Sequence, residues 1–121
     1  MGEKRLGNIE SKFAYIIWAN EPISSGELVK IAEKTLNWKK STTYTVLKKL
    51  CDRGIFQNDK SVVSSIISKE DFYAMQTEEF VNETFNGSLP AFLAAFTKRK
   101  KLTRSEAQEV KELIENFEED K

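Results

Sequence analysis

A mainly α-helical chain with one small β-hairpin is the fold class this sequence predicts. Three observations carry it. Apolar residues recur at i, i+3, i+4 and i+7 along most of the chain, the period of helices with one buried face. That period breaks after Gly54, where two β-prone runs flank Asn58-Asp59-Lys60-Ser61. Two Pro and five Gly in 121 residues leave little room for a loop-rich fold.

The first helix is expected from about Asn8 to Ala19, with Ile9, Phe13, Ile16 and Ile17 on its buried stripe. Asn20-Glu21-Pro22 stops it, because proline pushes the residue before it out of the helical region. Ser24-Ser25-Gly26-Glu27 then reads as a capping box, the serine oxygen and the glutamate carboxylate each satisfying a free backbone N–H. Leu28, Ile31, Ala32 and Leu36 line the apolar side of this second helix, and Asn37-Trp38 form a short turn.

Residues 38–54 say most. At about 100° per residue, Thr43, Val46, Leu47, Leu50 and Cys51 fall on one arc of a third helix. Ser41, Thr42, Tyr44, Thr45, Lys48 and Lys49 fall on the other, with no carboxylate until Asp52. Gly54 supplies the left-handed residue that ends the helix. Hydroxyls bond phosphates or base edges and lysines neutralise phosphates, a mixture that suits a DNA major groove. An ordinary solvated face of an amphipathic helix has the same composition.

Next come Ile55-Phe56-Gln57 and Val62 to Ile67, two strands around turn chemistry, with Lys60 at the tip. Three short helices followed by such a hairpin make a winged helix-turn-helix, a DNA-binding domain expected over residues 1–68. Residues 69–121 return to helices and are expected to form a helical dimerisation domain. Ser68 caps the first of these, which carries Phe72, Tyr73, Met75, Phe80, Val81 and Phe85; Asn86-Gly87 breaks it. Ser88-Leu89-Pro90 starts the next, with proline in the first turn where its missing N–H costs nothing. Thr103-Arg104-Ser105-Glu106 is a second capping box, leading into Val110, Leu113, Ile114 and Phe117. Three short helices cannot hide Phe85, Phe92, Leu93, Phe96, Val110, Leu113, Ile114 and Phe117 unaided, and a two-fold copy of the same helices is the commonest cover.

The net charge is zero, yet unevenly placed. Residues 1–60 hold 11 basic and 7 acidic side chains, residues 61–121 hold 8 and 12, and the stretch 34–53 holds 6 and 1. A basic half beside an acidic half fits a nucleic-acid-binding domain joined to a protein-contact domain.

Catalysis finds little material. Histidine is absent, the single cysteine falls on the apolar arc, and no Gly-rich phosphate loop or nucleophile elbow occurs. Soft-metal sites need several Cys or His ligands, so no metal or other cofactor is expected. The opening Met-Gly-Glu-Lys-Arg lacks a following apolar stretch, and no run is long enough to span a membrane. With no internal disulfide possible, a cytoplasmic protein is expected. Plain structural roles compete for several residues: Cys51 as a small core residue, Trp18 and Trp38 as packing anchors, Lys98-Arg99-Lys100-Lys101 as a solvated helix end, and the glutamates from Glu106 to Glu119 as a wet face.

The chain resembles the penicillinase-repressor family, bacterial repressors of β-lactamase and methicillin-resistance genes. Ile16-Ile17-Trp18, Pro22-Ile23-Ser24 and Trp38…Thr42…Thr45…Leu47…Leu50…Arg53-Gly54 carry the resemblance in the first half. Phe85-Asn86-Gly87-Ser88-Leu89, Leu93-Ala94-Ala95-Phe96 and Leu102-Thr103…Glu106…Leu113-Ile114 carry it in the second. The resemblance implies a homodimeric repressor on a palindromic double-stranded DNA operator, with Ser41, Thr42, Tyr44, Thr45 and Lys48 facing DNA and Trp38 and Lys39 at the helix entrance. Tyr44 stands where members often have arginine, which implies a different operator. Ser64-Ser65 replace a tyrosine-rich second wing strand, and the cysteine cluster of copper-responsive relatives is missing. In the best-known members a membrane sensor triggers cleavage between asparagine and phenylalanine, so a protease partner is implied; the equivalent bond here is Ala95–Phe96. The competing function class is a winged-helix protein-interaction module whose basic helix contacts an acidic protein.

Overall fold

The computed structural model describes residues 6–117. Met1–Arg5, read above for a signal sequence, and the terminal Glu118 and Glu119 lie outside the described residues. In chain order the elements are α1 (Asn8–Asn20), β1 (Ile23–Ser24), α2 (Ser25–Leu36), α3 (Lys40–Asp52), β2 (Phe56–Asp59), β3 (Val62–Ser65), α4 (Lys69–Phe85), α5 (Leu89–Arg99) and α6 (Arg104–Glu115). The fold is mainly helical with a small antiparallel sheet, the winged-helix class expected. Two compact units divide inside α4, Met1–Glu78 and Glu79–Lys121.

Phe13, Ile17, Leu28, Leu47, Leu50, Phe56 and Val63 form the centre of the first unit, so all three leading helices and the hairpin share one core. Ile9 was expected on that core and is 47% exposed; Ala14 is buried in its place. At about 100° per residue the arc through Phe13, Ala14 and Ile17 is rotated away from Ile9. Alanine carries too little apolar surface to signal that rotation in the sequence.

Asn37, with φ 59°, ends α2 in the left-handed conformation, and Gly54, with φ 82°, does the same just past α3. Of the expected Ser24–Glu27 capping box the serine half is present, its Oγ accepting from the Glu27 N–H at 3.1 Å, while no return bond to the Glu27 carboxylate forms among the described residues. Ile23-Ser24 also forms a strand, which the sequence did not signal: a two-residue run carries no period. It pairs Ile23 with Val63 and Ser24 with Val62, making a sheet of order β1-β3-β2. The hairpin turn is tighter than expected, because Asn58 and Asp59 belong to β2 and pair with Val63 and Val62.

Trp18 and Trp38 are packing anchors. Trp38 lies 5.0 Å from Phe13, ring centre to ring centre; Trp18 lies 5.1 Å from Phe56 and 5.7 Å from Phe72. The Trp18 indole N–H donates to the Ile67 carbonyl at 3.0 Å, satisfying its one polar atom. Phe72 is only 2% exposed, so the start of α4 completes the first unit's core.

In the second unit, Ser88 caps α5 with Pro90 in its first turn, and Thr103 and Glu106 form the reciprocal box that starts α6, at 3.0 and 2.9 Å. Phe80, Phe85, Phe92 and Phe96 make a chain of ring contacts 5.8–6.2 Å apart. Phe85, Phe92, Leu93 and Val110 are half-buried, while Phe96, Leu113, Ile114 and Phe117 stay exposed. Leu89, Leu93, Val110, Leu113, Ile114 and Phe117 line an open apolar groove of about 440 Å³. Ala95–Phe96 lies inside α5, in helical conformation.

Candidate nucleic-acid interface

Burial of Thr43, Leu47 and Leu50 fixes how α3 is rolled against the core. Thr43 is a polar member of that stripe, and its hydroxyl is satisfied by donating to the Lys39 carbonyl at 3.2 Å. The roll leaves Lys39, Lys40, Ser41, Thr42, Thr45, Lys48 and Lys49 exposed. Three of the sequence-chosen hydroxyls are therefore brought together on one solvent-facing row with lysines at its start and middle.

The lysines are not equivalent. Lys39 and Lys40 make no ion pair among the described residues. Lys48 pairs with Asp52 one turn on, at 3.1 Å, with both side chains mostly in water. Lys49 instead reaches back to α1, 3.6 Å from Glu10, whose other oxygen stands 3.8 Å from Arg53 and also accepts from the Gly7 N–H. Lys40, not singled out in the sequence, belongs to the open group; Lys49 is committed to holding α1 and α3 together.

Tyr44 departs from expectation. Expected on the exposed arc, it stands about 90° round from the middle of the buried stripe, and there it is half-buried and packs on the core. Its hydroxyl donates to Ser25 Oγ at 3.2 Å. Ser25 opens α2, is 6% exposed, and its backbone N–H donates to the Ser61 carbonyl of the hairpin turn at 2.9 Å. One buried residue thus touches α3 through its side chain and the wing through its backbone. The sequence showed only a serine beside a helix cap, with no mark of this role.

The wing is held by contacts of equally long sequence range. Glu21, read only as part of a helix stop, accepts from the Ser65 N–H at 2.7 Å and from its hydroxyl at 2.9 Å. Gln57 bridges to Ser64 across the hairpin. Lys60 and Ser61 have φ of 51° and 69°, the two left-handed residues of a type I′ turn, and this places the exposed Lys60 at the tip. Trp38, proposed at the helix entrance, is half-buried against Phe13.

Cys51 is half-buried rather than in the core, and shares a groove between α3 and β2 with Tyr44, Leu47, Lys48 and Asn58. Burial pushes its thiol pKa up, the Asp52 carboxylate adds to the rise, and Lys48 opposes it. Among the described residues no cluster of acidic, Cys or His side chains is fit to hold a metal ion. No helix of the described residues is long and apolar enough to cross a membrane.

The protein is similar to known repressors along almost its full length. The penicillinase repressor of Bacillus licheniformis is 24% identical over 115 residues, covering 92% of this chain and 90% of the relative. The methicillin resistance regulatory protein MecI of Staphylococcus epidermidis is 18% identical over 113 residues, covering 90% and 92%. The family model described as penicillinase repressor matches residues 6–116. The chain therefore belongs to the penicillinase repressor family, a family of transcriptional repressors and not of enzymes.

Proposed function

We propose that the protein represses transcription by binding a palindromic operator as a homodimer, with α3 in the major groove. The exposed row of α3 carries this reading: Ser41, Thr42 and Thr45 stand beside Lys39 and Lys40, which have no ion pair among the described residues, on a helix rolled outward by its buried stripe. Hydroxyls there reach base edges, thymine methyls or phosphates, and Lys39, Lys40 and Lys48 neutralise phosphates. Lys60 adds one cation from the wing tip. Tyr44 and Trp38 support the helix from behind rather than reading bases.

The second copy covers the apolar groove of the C-terminal unit. Leu113 and Phe117 are 73% and 71% exposed in one chain, and Phe96 and Ile114 are also open. An apolar face of this kind on an isolated chain marks an interaction surface, and a self-complementary one closes with two-fold symmetry. That symmetry would set the operator's palindrome. The names of both relatives point to antibiotic-resistance genes as the regulated class. A cytoplasmic location follows from the DNA partner. Release by a protease at Ala95–Phe96 requires α5 to open first, because proteases bind extended backbone.

Selection of the full chain on a random pool of duplex DNA tests this. The expected result is an inverted repeat whose binding weakens by orders of magnitude between about 50 and 200 mM salt. Enrichment of no sequence, with affinity for acidic protein instead, would replace this reading by that of a protein-interaction module.

A further inference from the structure

We infer that Ser25 is a specificity-determining positioning residue: its hydroxyl holds the Tyr44 phenol out of the row of DNA-facing side chains. The inference rests on the proposed role of α3 and goes beyond it, since Ser25 itself touches no DNA in that reading.

Along the helix axis Tyr44 stands between Ser41 and Lys48, at i+3 from one and i−4 from the other, the spacings at which side chains are neighbours on a helix surface, and in angle it lies on the core side of both. Both neighbours are exposed, yet Tyr44 is half-buried and bonded to Ser25 Oγ at 3.2 Å. Ser25 cannot follow a moving partner. It is the first residue of α2, 6% exposed, with its backbone N–H bonded to Ser61 at 2.9 Å. The acceptor is therefore fixed in space, and it fixes the phenol. Only the side chain of Ser25 makes the bond to Tyr44, so substitution by alanine leaves the bond to the wing turn in place.

Removing the acceptor strands a half-buried phenolic hydroxyl, and the cheapest way to satisfy it is rotation into solvent beside Ser41 and Lys48. A phenol there donates and accepts in the groove. Ser25→Ala is thus expected to add a base contact and change which sequence is preferred, not merely to weaken binding. Tyr44→Phe, lacking the hydroxyl, is expected to select the wild-type sequence. The combined Ser25→Ala/Tyr44→Phe chain is expected to return to the wild-type preference.

The experiment is selection from a random duplex pool with four full-length chains, wild type, both single variants and the double, each checked for a cooperative thermal transition. The expected reading is a change on the order of tenfold in discrimination at one base pair per half-site for Ser25→Ala, absent from the other three. A Ser25→Ala chain that selects the wild-type site unchanged would overturn the inference. So would a shift that persists in the double variant, because the effect would then not run through the phenol. If Ser25→Ala does not fold, Tyr44→Phe decides: a changed site there shows that the hydroxyl reads DNA in the wild type. A wild-type chain that enriches nothing refutes the DNA-binding reading itself, and the Ser25 role falls with it.

Discussion

Lys39→Ala and Lys49→Ala change the same kind of side chain on the same helix and are expected to give different results. Lys39 has no ion pair among the described residues, whereas Lys49 stands 3.6 Å from Glu10. In a two-fold dimer each substitution acts twice. With Lys39, Lys40 and Lys48 on phosphates, these six contacts give log affinity against log salt a slope of about −5.4, and Lys39→Ala flattens it by about 1.8. Raising salt from ~50 to ~200 mM then weakens the wild type by roughly 2,000-fold and the Lys39→Ala chain by roughly 150-fold. Lys49→Ala should leave the slope alone and cost the fold less than about 1 kcal/mol, the scale of a partly exposed ion pair. Fluorescence anisotropy on a labelled duplex across a salt series measures both slopes. Equal flattening by the two substitutions, or none by either, would refute the division of the lysines.

Three other outcomes are expected. Phe72→Ala should destabilise the first unit by about 3–5 kcal/mol in urea unfolding, since the ring is buried beside Trp18; a chain ending at Ser68 that unfolds at the same urea concentration as one ending at Glu78 would show that α4 contributes nothing. Leu113→Asp, at a site 73% exposed in one chain, should spare the protomer fold but raise the dimer dissociation constant by at least about 100-fold, read by sedimentation; a dimer indifferent to the change would put the interface elsewhere. Because burial and Asp52 raise the Cys51 pKa, less thiolate exists at a given pH, and labelling at about pH 8 should be slower in the folded chain than in urea. Equal rates would contradict the burial.

The parts of the fold legible in the sequence were those decided by neighbours along the chain. The limits of α1 and α2, the Thr103–Glu106 box, the Pro90 start of α5 and the outward-facing Ser41, Thr42 and Thr45 all follow from spacing within a few residues. What escaped depends on partners far away in sequence. Tyr44 stands at the edge between the two arcs, and whether it faces water is decided by the core it packs on and by a hydroxyl on another helix. Lys49 has the same angle as a phosphate ligand and is drawn to Glu10. β1 exists only because Val62 and Val63 lie alongside it, and Phe72 belongs to a core whose other members precede it by whole elements. A helical period gives direction; it does not say what is waiting there.

The hairpin tip places two non-glycine residues, Lys60 and Ser61, at positive φ. Each costs on the order of 1–2 kcal/mol relative to glycine or asparagine in the same turn. The fold would be more stable with Asn-Gly at these positions, and it would then present no ammonium there. Stability and charge at the tip thus favour different residues, and the chain carries the charge. Selection for thermal stability alone, with no requirement to bind, should therefore drift first at Lys60 and Ser61, and variants enriched that way would hold their shape while losing their grip.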